Sequence, residues 1–114
     1  MNINLTTKRE TMQIRFNNDY LENLFLDLKV KGKPRYPPEV IKNFRKLIAR
    51  LETIPNILLL FQYRGLNFEA LSGKLNGFYS LRINDQYRLI ISIENDRILL
   101  EEILIIEDLS KHYE

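Results

Sequence analysis

The sequence predicts an α+β fold, in which two N-terminal helices pack on one face of a small twisted antiparallel sheet. Apolar residues recur at helical spacing over residues 40–54, whereas residues 78–94 alternate between polar and apolar. The helical patterns precede the strand patterns, as expected for an α+β order rather than for alternating βαβ units. With 114 residues, the chain is expected to form one domain, residues 1–114, with a core of its own.

The first part of the chain predicts one strand and one helix. Residues 1–11 lack a clear period and are interpreted as an arm or a short strand, and residues 12–16 alternate as a half-buried strand does. Asn17 or Asn18 then offers an N-cap for a helix with apolar residues at helical spacing up to Leu28. The Lys-Gly-Lys-Pro segment at 31–34 ends this helix and opens a basic loop.

The second helix has the strongest periodic pattern in the chain. Pro37 and Pro38 suit a first helical turn, and the apolar stripe runs from Val40 to Ile54 before Pro55 ends it. Residues 56–65 are apolar and predict either a short buried helix or a packed loop. A brief strand or a turn is expected over the five residues that begin at Asn67.

The C-terminal half predicts an antiparallel meander. Strands are expected over residues 78–84 and 87–94, followed by a tight turn at Asn95-Asp96 and a strand buried on both faces over 97–106. The register of the first hairpin stays open. A two-residue loop at 85–86 would place Arg82 and Arg88 on opposite faces, whereas a three-residue loop at 84–86 would pair them on one face.

The composition excludes several kinds of site. The chain has no cysteine and one histidine, which excludes a disulfide scaffold, a cysteine-ligated metal and a histidine-rich metal site. No phosphate loop or dinucleotide fingerprint is present, so no cofactor and no metal are expected. The longest apolar run, residues 57–61, is too short for a membrane span, and the start does not resemble a signal peptide. A cytoplasmic protein is therefore predicted.

The charge is unevenly distributed although the net charge is only +2. Residues 29–50 carry eight Lys and Arg against Glu39, and residues 94–114 carry seven acids against Arg97 and Lys111. Such asymmetry is typical of an anion-binding face. Mutual pairing of the two ends, or simple solvation of both, explains it equally well.

A set of cations and phenols remains as candidates for chemistry: Lys74, Tyr79, Arg82, Tyr87, Arg88, His112 and Tyr113. RNA cleavage requires two proton transfers and stabilisation of charge on the phosphate, which histidine and arginine can provide. Tyrosines can stack exposed bases. Each residue also has an ordinary structural explanation: a cross-strand ion pair, an aromatic at the core edge, or a frayed tail.

Three segments resemble one protein family. They are L-N-F-E-A-L-S-G at 66–73, G-F-Y-S-L-R-I-N-D-Q-Y-R at 77–88, and I-E-D-L-S-K-H-Y at 106–113. The second is close to the hairpin string of the RelE/ParE superfamily of toxins from toxin–antitoxin systems, in its HigB branch. The chain is thus similar to HigB-type toxins over about its last two-thirds.

The resemblance implies a ribosome-dependent endoribonuclease that cuts messenger RNA in the ribosomal A site and that a HigA-like antitoxin blocks. Arg82 and Arg88 would hold the scissile phosphate, and Asp108, His112 and Tyr113 would supply the acid/base and substrate-positioning groups. Residues expected to bind RNA and the ribosome are Lys31, Lys33, Arg35, Lys42, Arg45, Lys46, Lys74 and Tyr79.

Two alternatives within the same fold stay open. Asn67 stands where well-known HigB enzymes carry a histidine, and Ala70 where a lysine is often seen. This favours a ParE-like inhibitor of DNA gyrase without ribonuclease activity. An inert member that only binds its antitoxin or RNA is the third hypothesis.

Overall fold

The computed structural model describes residues 12–30, 32–98 and 101–111. Within these residues the sheet has five strands: β1 (Gln13–Phe16), β2 (Glu69–Ala70), β3 (Tyr79–Arg82), β4 (Tyr87–Asp96) and β5 (Glu101–Lys111). The helical part described consists of α1 (Asp19–Phe25), α2 (Pro38–Leu51) and the 3₁₀ helices Ile57–Gln62, Arg64–Leu66 and Gly73–Leu75. The α+β prediction is confirmed, but there are more helical segments than the two N-terminal helices expected.

The sheet is mixed, so the prediction of an antiparallel sheet is wrong at one strand. The strand order is β1-β5-β4-β3-β2, and β1 runs parallel to β5 while the other neighbours are antiparallel. The parallel register places Ile14 opposite Leu104 and Phe16 opposite Ile106. It therefore turns the apolar side of β1 towards the core and gives the outer edge of β5 a hydrogen-bonded neighbour.

The core lies between α2 and one face of the sheet, called here the helix face. Val40, Phe44, Leu47, Ile48 and Leu51 of α2 are all buried and belong to the same cluster as Leu81, Leu89, Ile91, Leu104 and Ile106 of the strands. Side chains alternate along a strand, so the strand residues next to these positions in sequence lie on the opposite face of the sheet, called the outer face. Three of them, Ile90, Ile103 and Ile105, are also buried but lie outside this cluster.

Local capping fixes the ends of the helices. Asn18 accepts a hydrogen bond from the backbone N–H of Leu21 at 3.0 Å, and α1 ends at Phe25, three residues earlier than predicted. The chain then turns through Asp27, whose φ of 60° is left-handed. Asn56 caps the 3₁₀ helix Ile57–Gln62 in the same way, so the ambiguous apolar segment is a short helix.

The last two strands are longer than predicted. Asn95 and Asp96 were expected to form a turn, but they pair with Glu102 and Glu101 as the end of β4, so the turn prediction is wrong. The last strand was expected over 97–106, but β5 begins at Glu101 and continues to Lys111. The register shifts between Ile90 and Ile91, which leaves Glu107 as an extra residue in β5.

The carboxylate of Glu107 explains why β5 continues beyond the bulge. It accepts a hydrogen bond from Ser92 Oγ at 2.6 Å and one from Asn17 Nδ2 at 2.9 Å. These bonds connect the bulge to β4 and to the segment after β1, so pairing resumes on its far side. The arm or strand expected for residues 1–11 lies outside the described residues. In the described part, no helix is long and apolar enough to cross a membrane.

Replacement of Phe44 by alanine is expected to lower the free energy of unfolding by about 3–5 kcal/mol, because a fully buried ring leaves a cavity in the core. Urea denaturation measures the change. Leu58→Ala is the control, since 74% of Leu58 is exposed, and it should change stability by less than about 0.5 kcal/mol. Similar losses in both variants would contradict the assignment of the core.

Candidate functional site

The turn between β3 and β4 decides the register of the hairpin. The side-chain oxygen of Asn84 accepts hydrogen bonds from the backbone N–H groups of Gln86 and Tyr87, each at 2.8 Å. The loop therefore contains three residues, 84–86, and Arg82 lies directly opposite Arg88. Of the two registers that the sequence left open, the one that pairs the arginines on one face is confirmed. Both lie on the outer face, next to the helix-face pair Leu81 and Leu89.

Arg88 is the central cation of the outer face. It lies between Arg82 on β3 and Ser110 on β5, so that three polar side chains form a row across three strands. Its Nε and Nη1 atoms are buried and have no hydrogen-bond partner among the described residues. A buried hydrogen-bond donor without a partner destabilises the folded state by about 1–3 kcal/mol, and a charged donor by more. A guanidinium in this state is well suited to bind an anion in fork geometry.

A cavity of about 200 Å³ adjoins this row and is called the outer cavity. Its lining comprises Glu69, Leu71, Leu75, Ser80, Arg88, Ile90, Ser110 and Lys111. Lys74, predicted to bind RNA, is exposed in the adjoining 3₁₀ helix Gly73–Leu75. His112 and Tyr113 follow the last residue of the lining directly in sequence. Both lie outside the described residues, so their predicted roles remain predictions.

Asp108, the remaining predicted catalytic residue, lies next to the bulge in β5 and opposite Ile90. It is exposed, and its Oδ1 accepts the backbone N–H of Leu109 at 2.8 Å. Its carboxylate is also one of the charges that act on Tyr36. The structure therefore holds Asp108 on the same strand end as the outer cavity, two residues before Ser110.

Arg82 faces a different cavity from Arg88. β2 pairs only with Tyr79 and Ser80 of β3, so Arg82 lies beyond the end of that pairing. It forms an ion pair with Asp85, and at this end of β3, which β2 does not cover, it also borders a cavity of about 270 Å³ between α2 and the hairpin, together with Lys46 and Arg50. This is called the helix-side cavity. Sequence reasoning did not assign Arg50 to a site, although its position four residues after Lys46 was a usable signal.

The other residues predicted to bind RNA lie on different elements of the fold. Lys33 is exposed in the loop between the helices, Lys42 is exposed on α2, and Lys31 lies outside the described residues. Tyr79 packs against the core and stacks on Phe68 with ring centroids 5.1 Å apart. It therefore has the structural role that the sequence also allowed, as an aromatic residue at the edge of the core.

Arg45 connects the two α-helices. Its Nε donates to the carbonyl of Leu24 at 2.9 Å, and its Nη2 lies 3.0 Å from Asp27 Oδ1. These contacts hold α2 against the C-terminal end of α1. A substitution of Arg45 would therefore disturb the helix packing as well as the surface charge.

A tyrosine cluster, Tyr20, Tyr36 and Tyr87, fastens the basic loop to the end of β5. Tyr36 donates to the carbonyl of Leu109 at 2.9 Å, and its ring meets that of Tyr87 edge-on at 5.9 Å. Arg35 places its guanidinium 4.0 Å from the centroid of the Tyr20 ring. Sequence reasoning missed Tyr36, because its partners are distant in sequence.

The backbone explains the asparagine at position 67. Asn67 follows the 3₁₀ helix Arg64–Leu66 and adopts a left-handed conformation with φ 47° and ψ 55°. Asparagine tolerates this region better than most residues with a side chain. Ala70 is exposed in β2, opposite Tyr79. Neither position offers a group that exchanges protons near neutral pH.

Comparison with known proteins gives one family and one fold. The family model of the HigB-like toxin, a RelE-like toxin of the type II toxin–antitoxin system HigB, matches residues 14–103. The fold is similar to that of a YoeB/ParE toxin from Agrobacterium tumefaciens, with 17% identity, a TM-score of 0.51 and coverage of 90% of this chain and 100% of that one. A conserved hypothetical protein from Helicobacter pylori has 16% identity and a TM-score of 0.53, covering 90% and 96%. A direct search among curated proteins finds no match.

Tyr36 gives a prediction for the dependence of stability on pH. Burial, and secondarily the charge of Asp108, raise the pKa of Tyr36 above its usual value near 10. The folded state therefore binds the phenolic proton more tightly than the unfolded state does. This tighter binding adds to the free energy of unfolding below pH 10, and the contribution is lost as pH rises through the pKa of Tyr36 in the folded state.

We expect Tyr36→Phe to lower the free energy of unfolding by about 0.5–1.5 kcal/mol at neutral pH, through loss of the hydrogen bond to Leu109. The difference from the wild type should shrink above pH 10, as the wild type loses the protonated phenol. Urea denaturation of both proteins between neutral pH and pH 11 measures it. A difference that is constant or grows with pH would contradict this role of Tyr36.

Proposed function

Because this chain belongs to the HigB-like family of RelE-like toxins of type II toxin–antitoxin systems, we propose that it is a ribosome-dependent endoribonuclease that cuts messenger RNA in the A site. The family predicted from the hairpin string is confirmed. The single observation that supports the enzymatic proposal is the half-buried Arg88 beside the outer cavity, whose Nε and Nη1 atoms have no hydrogen-bond partner among the described residues. A phosphate would supply the hydrogen-bond acceptors that the described residues do not.

The chemistry is an attack of the ribose 2′-hydroxyl on the adjacent phosphorus. The hydroxyl loses its proton as the new P–O bond forms, and the bond to the 5′-oxygen breaks as that oxygen gains a proton. Negative charge develops on the non-bridging phosphate oxygens, where a preorganised cation is most effective. Arg88 is suited to this role, because it is half-buried and its strand is paired on both sides.

The proton transfers are assigned to the end of β5. His112 follows in sequence Lys111, which lines the outer cavity. Imidazole, with an ordinary pKa of about 6.5, can exchange protons near neutral pH. The carboxylate of Asp108 is assigned to assist these proton transfers, and Tyr113 to stack or orient a base. Arg82, opposite Arg88 across the hairpin, is assigned with it to binding of the scissile phosphate.

Binding to the ribosome is assigned to the exposed cations of the helical layer and its loop. Lys33, Arg35, Lys42 and Lys46 are exposed and can contact ribosomal RNA phosphates without reading sequence. A cognate HigA-like antitoxin is the proposed protein partner, as the family implies. Activity on translating ribosomes places the proposed function in the cytoplasm.

The test is in vitro translation in the presence of the purified chain, with the 5′ ends of the message mapped by primer extension. New ends that occur only in translated message are expected. Intact message together with inhibition of gyrase supercoiling would instead support the ParE-like alternative. No effect in either assay would favour the inert, antitoxin-binding alternative.

Arg88→Met is expected to reduce cleavage by about 10²–10³-fold, the usual loss when one donor to a developing anion is removed. It should not lower stability, because it removes buried donors that have no partner among the described residues. Primer-extension yields against time and urea denaturation measure the two effects.

The matched control is Arg97→Gln, which also removes one positive charge. Arg97 is exposed just after the far end of β4, nine residues from Arg88, about 30 Å along an extended strand. Its cleavage rate should stay within about threefold of the wild type, since distant exposed charges are screened. Cleavage by Arg88→Met at the rate of this control would refute the assigned role.

A further inference from the structure

Glu107, the extra residue of the bulge in β5, is held from both sides of its strand. Its carboxylate oxygens accept hydrogen bonds from Ser92 Oγ on β4 at 2.6 Å and from Asn17 Nδ2, just after β1, at 2.9 Å. Its backbone carbonyl accepts a third bond, from Asn18 Nδ2 at 3.3 Å. These bonds fix the one position at which β5 and β4 shift their register.

The bulge decides which face of the sheet each later side chain of β5 takes. Ile106, the last residue before the bulge, lies on the helix face. Because side chains alternate along a strand, a regular β5 would return Asp108 to the helix face and place Leu109 on the outer face, opposite Arg88. A carboxylate would then lie against the apolar core, which is strongly unfavourable without a partner.

The observed pairing reverses both placements. Asp108 lies opposite Ile90 and Ser110 lies opposite Arg88, on the outer face. Leu109, between them, belongs to the buried core cluster on the helix face. Ser110 lines the outer cavity together with Arg88. One extra residue thus gives Arg88 a polar neighbour on β5 instead of a leucine.

The segment after the bulge, residues 108–111, has less support than the rest of β5. Within the described residues, β1 pairs with β5 only as far as Ile106, so β4 is the neighbouring strand on one side of this segment alone. The bond from Tyr36 to the carbonyl of Leu109 is a further attachment. Pairing with β4 is interrupted at the bulge, so the bonds of Glu107 are well placed to keep the segment aligned with β4.

We propose that Glu107 is a positioning residue of the candidate functional site. Its two side-chain hydrogen bonds hold the bulge, and the bulge places Asp108 and the strand end after it on the outer face, where Arg88 lies. The inference rests on the proposed ribonuclease function and gives Glu107 no contact with RNA. It requires the hydrogen bonds of Glu107 rather than its charge.

Glu107→Gln and Glu107→Met form a matched pair for the test. Both remove the charge and keep a side chain of similar length, but only glutamine can bond both partners, since the Ser92 hydroxyl can accept as well as donate. Cleavage of translated message is measured over a range of toxin concentrations.

Glu107→Met should lower the maximal cleavage rate at least about tenfold, because the groups of the strand end are displaced from the reacting atoms. The concentration that gives half the maximal rate should stay within about twofold of the wild type, since no contact to the ribosome is lost. Glu107→Gln should keep both quantities within about threefold of the wild type, which is rescue by the hydrogen bonds alone.

Hydrogen exchange followed by NMR measures the strand end without any need for activity. Tyr87 turns its carbonyl towards β3, where it accepts the N–H of Ile83. Its neighbour Arg88 therefore turns its backbone groups towards Ser110 on β5. The amide protons of Arg88 and Ser110 should exchange about tenfold faster, or more, in the methionine variant than in the glutamine variant.

Leu104, before the bulge, is the internal control, because equal exchange of its amide proton in both variants shows that the fold is intact. Ser92→Ala removes one of the two bonds from the side of β4 and should cause the same two losses, to a smaller degree, if the methionine variant does not fold. Equal cleavage by the methionine and glutamine variants, or equal exchange at Ser110, would overturn the positioning role. Translated message left intact by the wild type would refute the ribonuclease proposal, whereas the exchange comparison does not depend on cleavage.

Discussion

The side chain of Asn84 sets the register on which both cavities depend. By accepting the N–H groups of Gln86 and Tyr87, it fixes a three-residue loop and pairs Arg82 with Arg88. A slip of one residue would exchange the faces of one strand. Leu81 or Leu89 would then leave the core, where both are fully buried, and an arginine would replace it. The hydrophobic cost of that exchange and the hydrogen bonds of the turn favour the same register.

In this register, the residues that stabilise the fold and the candidate functional residues lie on opposite faces of the same sheet. The helix face of the hairpin supplies apolar side chains to the cluster around Phe44, whereas the outer face carries the row Arg82, Arg88 and Ser110. The buried Nε and Nη1 atoms of Arg88 are costly for the fold, since donors without an acceptor gain no hydrogen bond in return for their lost hydration. Such a cost is typical of positions kept for binding, where the missing partner is the ligand. The rigid strands on either side keep the cation in place before any ligand arrives.

Patterns that are local in sequence were predicted well, and arrangements that depend on distant contacts were not. The stripe of α2 and the hairpin strands follow from periods of 3.6 and 2, which sequence shows directly. The parallel pairing of β1 with β5 joins residues about ninety positions apart, so no local pattern indicated it. The continuation of β5 depends on Glu107 meeting Ser92 and Asn17. The helix-side cavity needs α2, the segment at Gly65 and the hairpin together, so Lys46 and Arg82 were found separately and Arg50 was not assigned.

The uneven charge of the chain can now be interpreted. If the basic region 29–50 served mainly to neutralise the acidic end, ion pairs would join the two. Two ion pairs instead join residues of these regions to partners elsewhere: Arg45 pairs with Asp27, and Glu94 pairs with Arg15. The contact between these regions is instead made by the phenol of Tyr36 and the backbone of Leu109. Neither of these two ion pairs joins the basic region to the acidic end, and the contact that does join them is an uncharged hydrogen bond, which leaves the charge of both regions unchanged.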